Sequence, residues 1–250
     1  MPDRSRATAQ SCGKGEAKNP KGILSLQFLR SAAVAGTLVL SLSFTVGAAG
    51  LPLDDLVSKI QERYENTESF EADFYQEVTL GAMKHKIREE GTVYFKKPKR
   101  MLWHYHRPKN KKMIVNPVKT WLYLPEDRVA YVQPADQHPS SALGLKFLTG
   151  RGDLPKDFDM MYTEPSPVDR QGNYLITLIP RDRRSGIAKI FLTVDGADFR
   201  IIQCRFTDPA GNTTLLRLKN FKINSKLPES LFSFTPPPGV DVVNVPFQNP

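Results

Sequence analysis

The chain has 250 residues, 40% of them hydrophobic, two cysteines and a formal net charge of +9. Residues 50–250 hold 29 Lys and Arg against 24 Asp and Glu, about +5, because much of the basic excess lies before them. A charge this modest argues against nucleic acid as the main partner, since such binders concentrate basic residues on one face.

Arg4, Arg6, Lys14, Lys18, Lys21 and Arg30 precede an uncharged apolar run, Ala32 to Val46. That run has signal-peptide length and is shorter than the ~20 residues of a membrane span. Val46-Gly-Ala48 and Gly47-Ala-Ala49 both offer small residues for cleavage, so residues 1–49 are read as a signal peptide and 50–250 as a single domain. No cysteine follows the apolar run to carry a lipid, so a soluble exported product is expected. Cys12 would leave with the signal. Cys204 then remains alone, and no internal disulfide forms. It sits in the alternating stretch Ile201 to Phe206 and reads as a core or wall residue rather than a nucleophile.

Leu53, Leu56, Val57, Ile60 and Tyr64 recur at helical spacing, with Asp54, Lys59, Glu62 and Arg63 opposite, which predicts an amphipathic helix. Phe70, Ala72, Phe74, Gln76 and Val78 then alternate with Glu71, Asp73 and Glu77, which predicts a strand. Further strands are expected at Ile87–Phe95, Met101–His106, Lys112–Val115, Trp121–Leu124 and Val129–Val132. Short strands joined by turns indicate an antiparallel meander. From Pro134 to Pro167 the pattern breaks, and a long irregular segment is expected. A short helix around Ser140–Leu148 presents Leu143 and Phe147 within it, and such segments act as lids or binding loops. Strands resume at Tyr174–Pro180, Ile187–Val194, Phe199–Phe206 and Thr213–Ile223. The run Pro236-Pro-Pro238 makes the tail an extended segment.

The densest signal is Gly91 to Tyr123. Val93, Phe95, Met101, Trp103 and Tyr105 fall on one face, and lysines and arginines fall between them. The expected result is a sheet with one wide aromatic and apolar face, either packed as core or walling a cavity. No phosphate loop, HExxH, CxxC or GxSxG motif appears. His104 and His106 share a strand face without a third ligand and read as exposed sheet histidines. Neither a catalytic residue nor a cofactor is predicted.

Taken in order, several segments resemble the LolA family of periplasmic lipoprotein carriers. They include Phe70-Glu-Ala-Asp-Phe-Tyr-Gln76, Gly91-Thr-Val-Tyr-Phe-Lys-Lys-Pro98, Met101-Leu-Trp103, Trp121-Leu-Tyr123, Gly150-Arg-Gly-Asp-Leu154 and Phe232-Ser-Phe-Thr-Pro-Pro-Pro-Gly-Val-Asp241. The resemblance implies an α+β, mainly β fold: an unclosed antiparallel β-barrel, or half-barrel, with a helical lid. It implies a carrier and not an enzyme. Such a carrier takes lipoproteins from a Lol-type ABC transporter of the inner membrane. It delivers them to a LolB-like outer-membrane acceptor lipoprotein, and works in the periplasm as a monomer. The implied acyl-chain cavity comprises Phe70, Phe74, Val93, Phe95, Met101, Trp103, Tyr105, Trp121, Tyr123, Leu143 and Phe147. Lys97 stands where many members carry an arginine that latches the lid, and its ammonium is expected to reach carbonyls of the Pro134–Pro167 segment. The alternatives are a carrier or sensor of another lipid or glycolipid on the same fold, and a secreted lipid hydrolase.

Overall fold

A computed structural model describes residues 50–81, 83–135, 154–182 and 185–245. The expected signal peptide, the Ser140–Leu148 helix with Leu143 and Phe147, and the Gly150–Asp153 motif lie outside the described residues.

Helix α1 spans Leu53–Glu65 and buries Leu56, Val57, Ile60 and Tyr64. Asp54 and Asp55 in its first turn and Arg63 in its last complement the helix dipole. It ends at Asn66, whose N–H donates to the Glu62 carbonyl at 3.0 Å. Twelve strands follow. The first six are β1 (Ser69–Leu80), β2 (His85–Lys96), β3 (Arg100–Arg107), β4 (Lys111–Val115), β5 (Lys119–Leu124) and β6 (Val129–Pro134). A single turn of helix, α2 (Leu154–Asp157), leads into β7 (Phe158–Tyr162) and β8 (Tyr174–Pro180). The remainder are β9 (Lys189–Val194), β10 (Ile201–Thr207), β11 (Thr213–Ile223) and β12 (Asp241–Asn244).

All twelve join one sheet in the order β12-β6-β5-β4-β3-β2-β1-β11-β10-β9-β8-β7. The two edges, β12 and β7, do not pair, so the sheet stays unclosed. Every pairing is antiparallel except β12 with β6, which is parallel. The sequence reading missed four of the described elements, one of them a 3-10 turn at Glu229–Phe232. α2 and β7 occupy part of the segment expected to be irregular, and β12 forms in the tail.

Register sorts the side chains onto two faces. On the inner face Phe70, Phe95, Met101 and Val115 lie in one row across β1 to β4. Ala72, Val93, Trp103, Met113, Leu122 and Tyr131 lie in the next. α1 packs its apolar stripe on this face, in one core with Phe70, Phe74, Val93, Phe95, Met101, Trp103, Ile190 and Leu192. Burying each large side chain contributes about 1.5–3 kcal/mol. The Tyr64 hydroxyl accepts the Ile201 N–H at 3.1 Å and fixes the helix end to β10.

The outer face of β3 to β6 is not simply charged, as the alternation predicts. Leu102, Ile114, Trp121, Ala130 and Val132 form a second core there, covered by Leu227 and Phe232 of the tail. Glu229 clamps this strap through ion pairs of 2.7 Å to both Lys96 and Arg100.

Candidate functional site

Gly91 shapes the inner face locally. A Cβ there would lie 2.0 Å from the His104 carbonyl oxygen and 2.8 Å from the Phe74 ring. Its bare backbone lets Phe74 swing between Trp103 and Tyr105, with ring centroids 4.8 and 4.9 Å away, both edge to face. Such aromatic pairs add about 0.5–1.5 kcal/mol beyond their buried area.

Seven of the expected cavity residues, Phe70, Phe74, Val93, Phe95, Met101, Trp103 and Tyr105, come together in this face. None is more than 7% exposed, so they form a buried, packed wall in this conformation. Trp121 and Tyr123 do not join them. Trp121 pairs with Ile114 and Val132 in register, which puts it on the outer face. Both stack against Phe234 of the tail, at 5.3 and 5.1 Å between centroids. The sequence assigned them inward because alternation gives a period and not a direction. The strap that covers them comes from a hundred residues downstream.

What the sequence reading missed is the neighbouring part of the inner face. Met113, Leu122, Tyr131, Thr120, Gln133 and Val245 line a trough of about 290 Å³ with an almost wholly apolar surface. It lies across β4, β5 and β6, in the same residue rows as Trp103 and Met101. The volume is at the small end of ligand pockets. The alternation Leu122–Leu124 and Tyr131–Gln133 carried this signal, masked by the larger Trp121 and Tyr123. A wider hollow of about 790 Å³ opens on the opposite face of the sheet. Asp73, Tyr75, Thr92, Arg217 and Lys219 line it together with Phe74, Ile202 and Leu218, so its surface is mixed where that of the trough is apolar.

Lys97 does not reach the segment expected of it among the described residues. Its ammonium donates to the Glu65 carbonyl at 2.6 Å and lies 3.6 Å from the Glu68 carboxylate. It therefore ties the β2 end to the last turn of α1, where a cation also meets the negative pole of the helix. The reason is proximity: the Lys97 N–H is already bonded to the Glu68 carbonyl, so the side chain starts beside the helix terminus.

Burial pushes the Cys204 thiol up to about 12, so it stays protonated and is a poor nucleophile. Burial, then His106 and Lys112, hold His104 below the usual histidine range. No group of three or more His, Cys, Asp or Glu among the described residues is placed to hold a metal ion.

An unclosed, mainly antiparallel sheet whose apolar inner face shares a core with α1 agrees with the half-barrel that the sequence resemblance implies. Residues 65–235 match the family described as "Outer membrane lipoprotein carrier protein LolA". The chain belongs to the LolA family. An outer-membrane lipoprotein carrier protein of Dechloromonas aromatica is 28% identical over 187 residues, covering 75% of this chain and 86% of the relative. A protein of the same name from Bordetella avium is 29% identical over 196 residues, covering 77% and 86%. Among solved structures, an uncharacterized conserved protein from Thermus thermophilus shares the fold. Its TM-score is 0.50 at 14% identity, covering 77% of this chain and 98% of that one. A LolA superfamily protein from Nitrosomonas europaea gives a TM-score of 0.42 at 14% identity, covering 74% and 99%.

Proposed function

We propose that this LolA-family chain carries lipoproteins through the periplasm by holding their acyl chains on the inner face of the sheet. One observation supports this above the others: an apolar trough at Met113, Leu122 and Tyr131 adjoins a buried aromatic wall on the same face of the sheet. Each acyl CH₂ exposed to water costs about 0.8 kcal/mol, so a multi-chain anchor needs shelter to cross an aqueous compartment. A trough of this size accommodates part of such an anchor. The rest requires α1 to lift from Trp103, Phe74 and Met101, which then become the wall of the enlarged cavity.

On this reading the chain is exported, with cleavage after Ala48 or Ala49, and acts as a monomer without catalysis or cofactor. It takes its cargo from an inner-membrane ABC transporter and hands it to an acceptor lipoprotein in the outer membrane. The test is release from spheroplasts of its own host. Adding the purified protein should bring newly made lipoproteins into the soluble fraction in one-to-one complexes. Lipoproteins that stay on the spheroplast membrane at saturating protein would overturn the reading.

A further inference from the structure

At one rim of the inner face Gln76, Glu89, Lys111 and the Tyr105 ring meet. The Lys111 ammonium lies 2.5 Å from Glu89 Oε1. Gln76 Nε2 donates to Glu89 Oε2 at 3.2 Å. The same ammonium sits 4.2 Å from the centre of the Tyr105 ring. Tyr105 packs on Phe74 and through it on Trp103, so the polar group caps one end of the aromatic wall. Glu89 and Lys111 keep 14% and 26% of their side chains exposed, which places them at the boundary between wall and water.

An ion pair is a poor way to fill an apolar face, since well-packed hydrophobic residues there are often as stable or more so. Its remaining hydrogen-bonding capacity points to a ligand. A lysine ammonium has three donors. Among the described residues Lys111 gives one to Glu89 and turns a face to the Tyr105 ring, which leaves a donor free. Gln76 uses its amide N–H on Glu89, and its carbonyl oxygen has no partner among the described residues. One free donor and one free acceptor thus stand side by side at the rim. Lys111 shares a strand face with Met113, two residues along β4, so the group adjoins the open trough at a strand repeat of ~7 Å.

We propose that this cluster is the head-group station of the carrier: Lys111 donates to ester or amide carbonyls, and Gln76 accepts the amide N–H, of an acylated peptide terminus whose chains enter the trough. The proposal rests on the carrier reading and adds to it the polar half of the ligand. It gives the pocket a means to distinguish an acylated peptide from a bare hydrocarbon, which apolar packing alone does poorly.

The experiment compares two fluorescent probes on the purified protein. One is a peptide with an N-acylated, S-diacylglyceryl cysteine at its start. The other has alkyl tails of the same length and no carbonyl near them. Replacing Glu89→Leu and Lys111→Met together removes both charges, so neither is left unpaired. The double variant should bind the acylated peptide about tenfold or more weakly, the effect of one lost charge-assisted hydrogen bond. It should bind the alkyl probe as tightly as before or more so. Gln76→Met keeps the ion pair and should weaken only the peptide probe, which guards against a folding defect in the double variant. Unchanged peptide binding in both variants overturns the proposal, as does equal loss of both probes, which would make the cluster a wall support. Failure of the unmodified protein to bind either probe would instead overturn the carrier reading itself.

Discussion

Lys97 joins the end of β2 to the last turn of α1. Its 2.6 Å bond to the Glu65 carbonyl holds the end of the helix that shares a core with Phe74 and Trp103. A charged hydrogen bond contributes about 1.5–3 kcal/mol before its partial exposure is discounted. About 1.4 kcal/mol changes a rare open population tenfold. Lys97→Leu should therefore speed hydrogen exchange in the last turns of α1, and cargo should be held longer, so that transfer to the acceptor slows while uptake survives. Lys97→Arg should retain closure. Unchanged exchange and transfer in Lys97→Leu would remove the residue from the gate. Two further substitutions separate sealed wall from open trough. Met101 is 4% exposed, so Met101→Glu puts an unpaired charge in packed core and should destabilise by several kcal/mol, of order 3 or more. Leu122 lines the trough, so Leu122→Glu should leave the melting transition nearly unchanged and abolish acyl binding. The residues of the sealed wall were legible because Val93, Phe95, Met101, Trp103 and Tyr105 alternate without interruption. Trp121 and Tyr123 alternate just as cleanly and face the other way. When both faces of a sheet are covered, period alone cannot tell them apart.

At the scale of elements, the tail is the part that sequence described least. Its three prolines promised an extended segment, and extended it is. Nothing local told that Leu227 and Phe232 would close a second core on the outer face. The same limit hid β7, where Phe158, Met160 and Tyr162 pair with Pro180, Leu178 and Ile176. Its alternation is five residues long and follows Pro155, so it read as loop. The strap makes an energetic prediction. Phe232 is 2% exposed, and Phe232→Ala should cost about 3–5 kcal/mol in denaturant unfolding. Glu229→Gln should leave the unfolding midpoint nearly unchanged, because that carboxylate is more than half exposed and its ion pairs are screened. A second element-scale prediction concerns acid. Hydrogen bonds from Arg88, then Lys86, hold the Glu77 carboxyl at about 2, against an ordinary value of 4.5. Its folded value lies below its unfolded one, so its stabilisation is present above pH 4.5 and is lost as pH falls toward 2. The melting temperature of the unmodified protein should therefore exceed that of Glu77→Gln at pH 6, and the gap should shrink progressively between pH 4.5 and 2. A gap that stays constant over that range would show that the β1–β2 ion pairs do not couple to folding.

For the whole molecule, the open sheet explains why a carrier needs two differently built halves of one face. The part that shares a core with α1 is buried and supplies stability. The part across β4 to β6 is left concave and supplies entry. On the proposed reading, a loosely complementary trough would bind chains without holding them irreversibly, as handover to an acceptor demands. The fold class was legible in the meander pattern and the N-terminal helix. The position of the trough was not, because it depends on which strands α1 covers. The account's central claim is that acyl chains lie on the inner face and not on the outer one. Leu122 and Tyr123 are adjacent in β5 and point to opposite faces, so they form a matched pair for testing it. A photocrosslinking amino acid is placed at either position, the protein is loaded with a lipoprotein, and the adduct is mapped by mass spectrometry. The account predicts adducts to the acyl chains from position 122 and none from position 123. Acyl adducts from position 123, with none from 122, would contradict it.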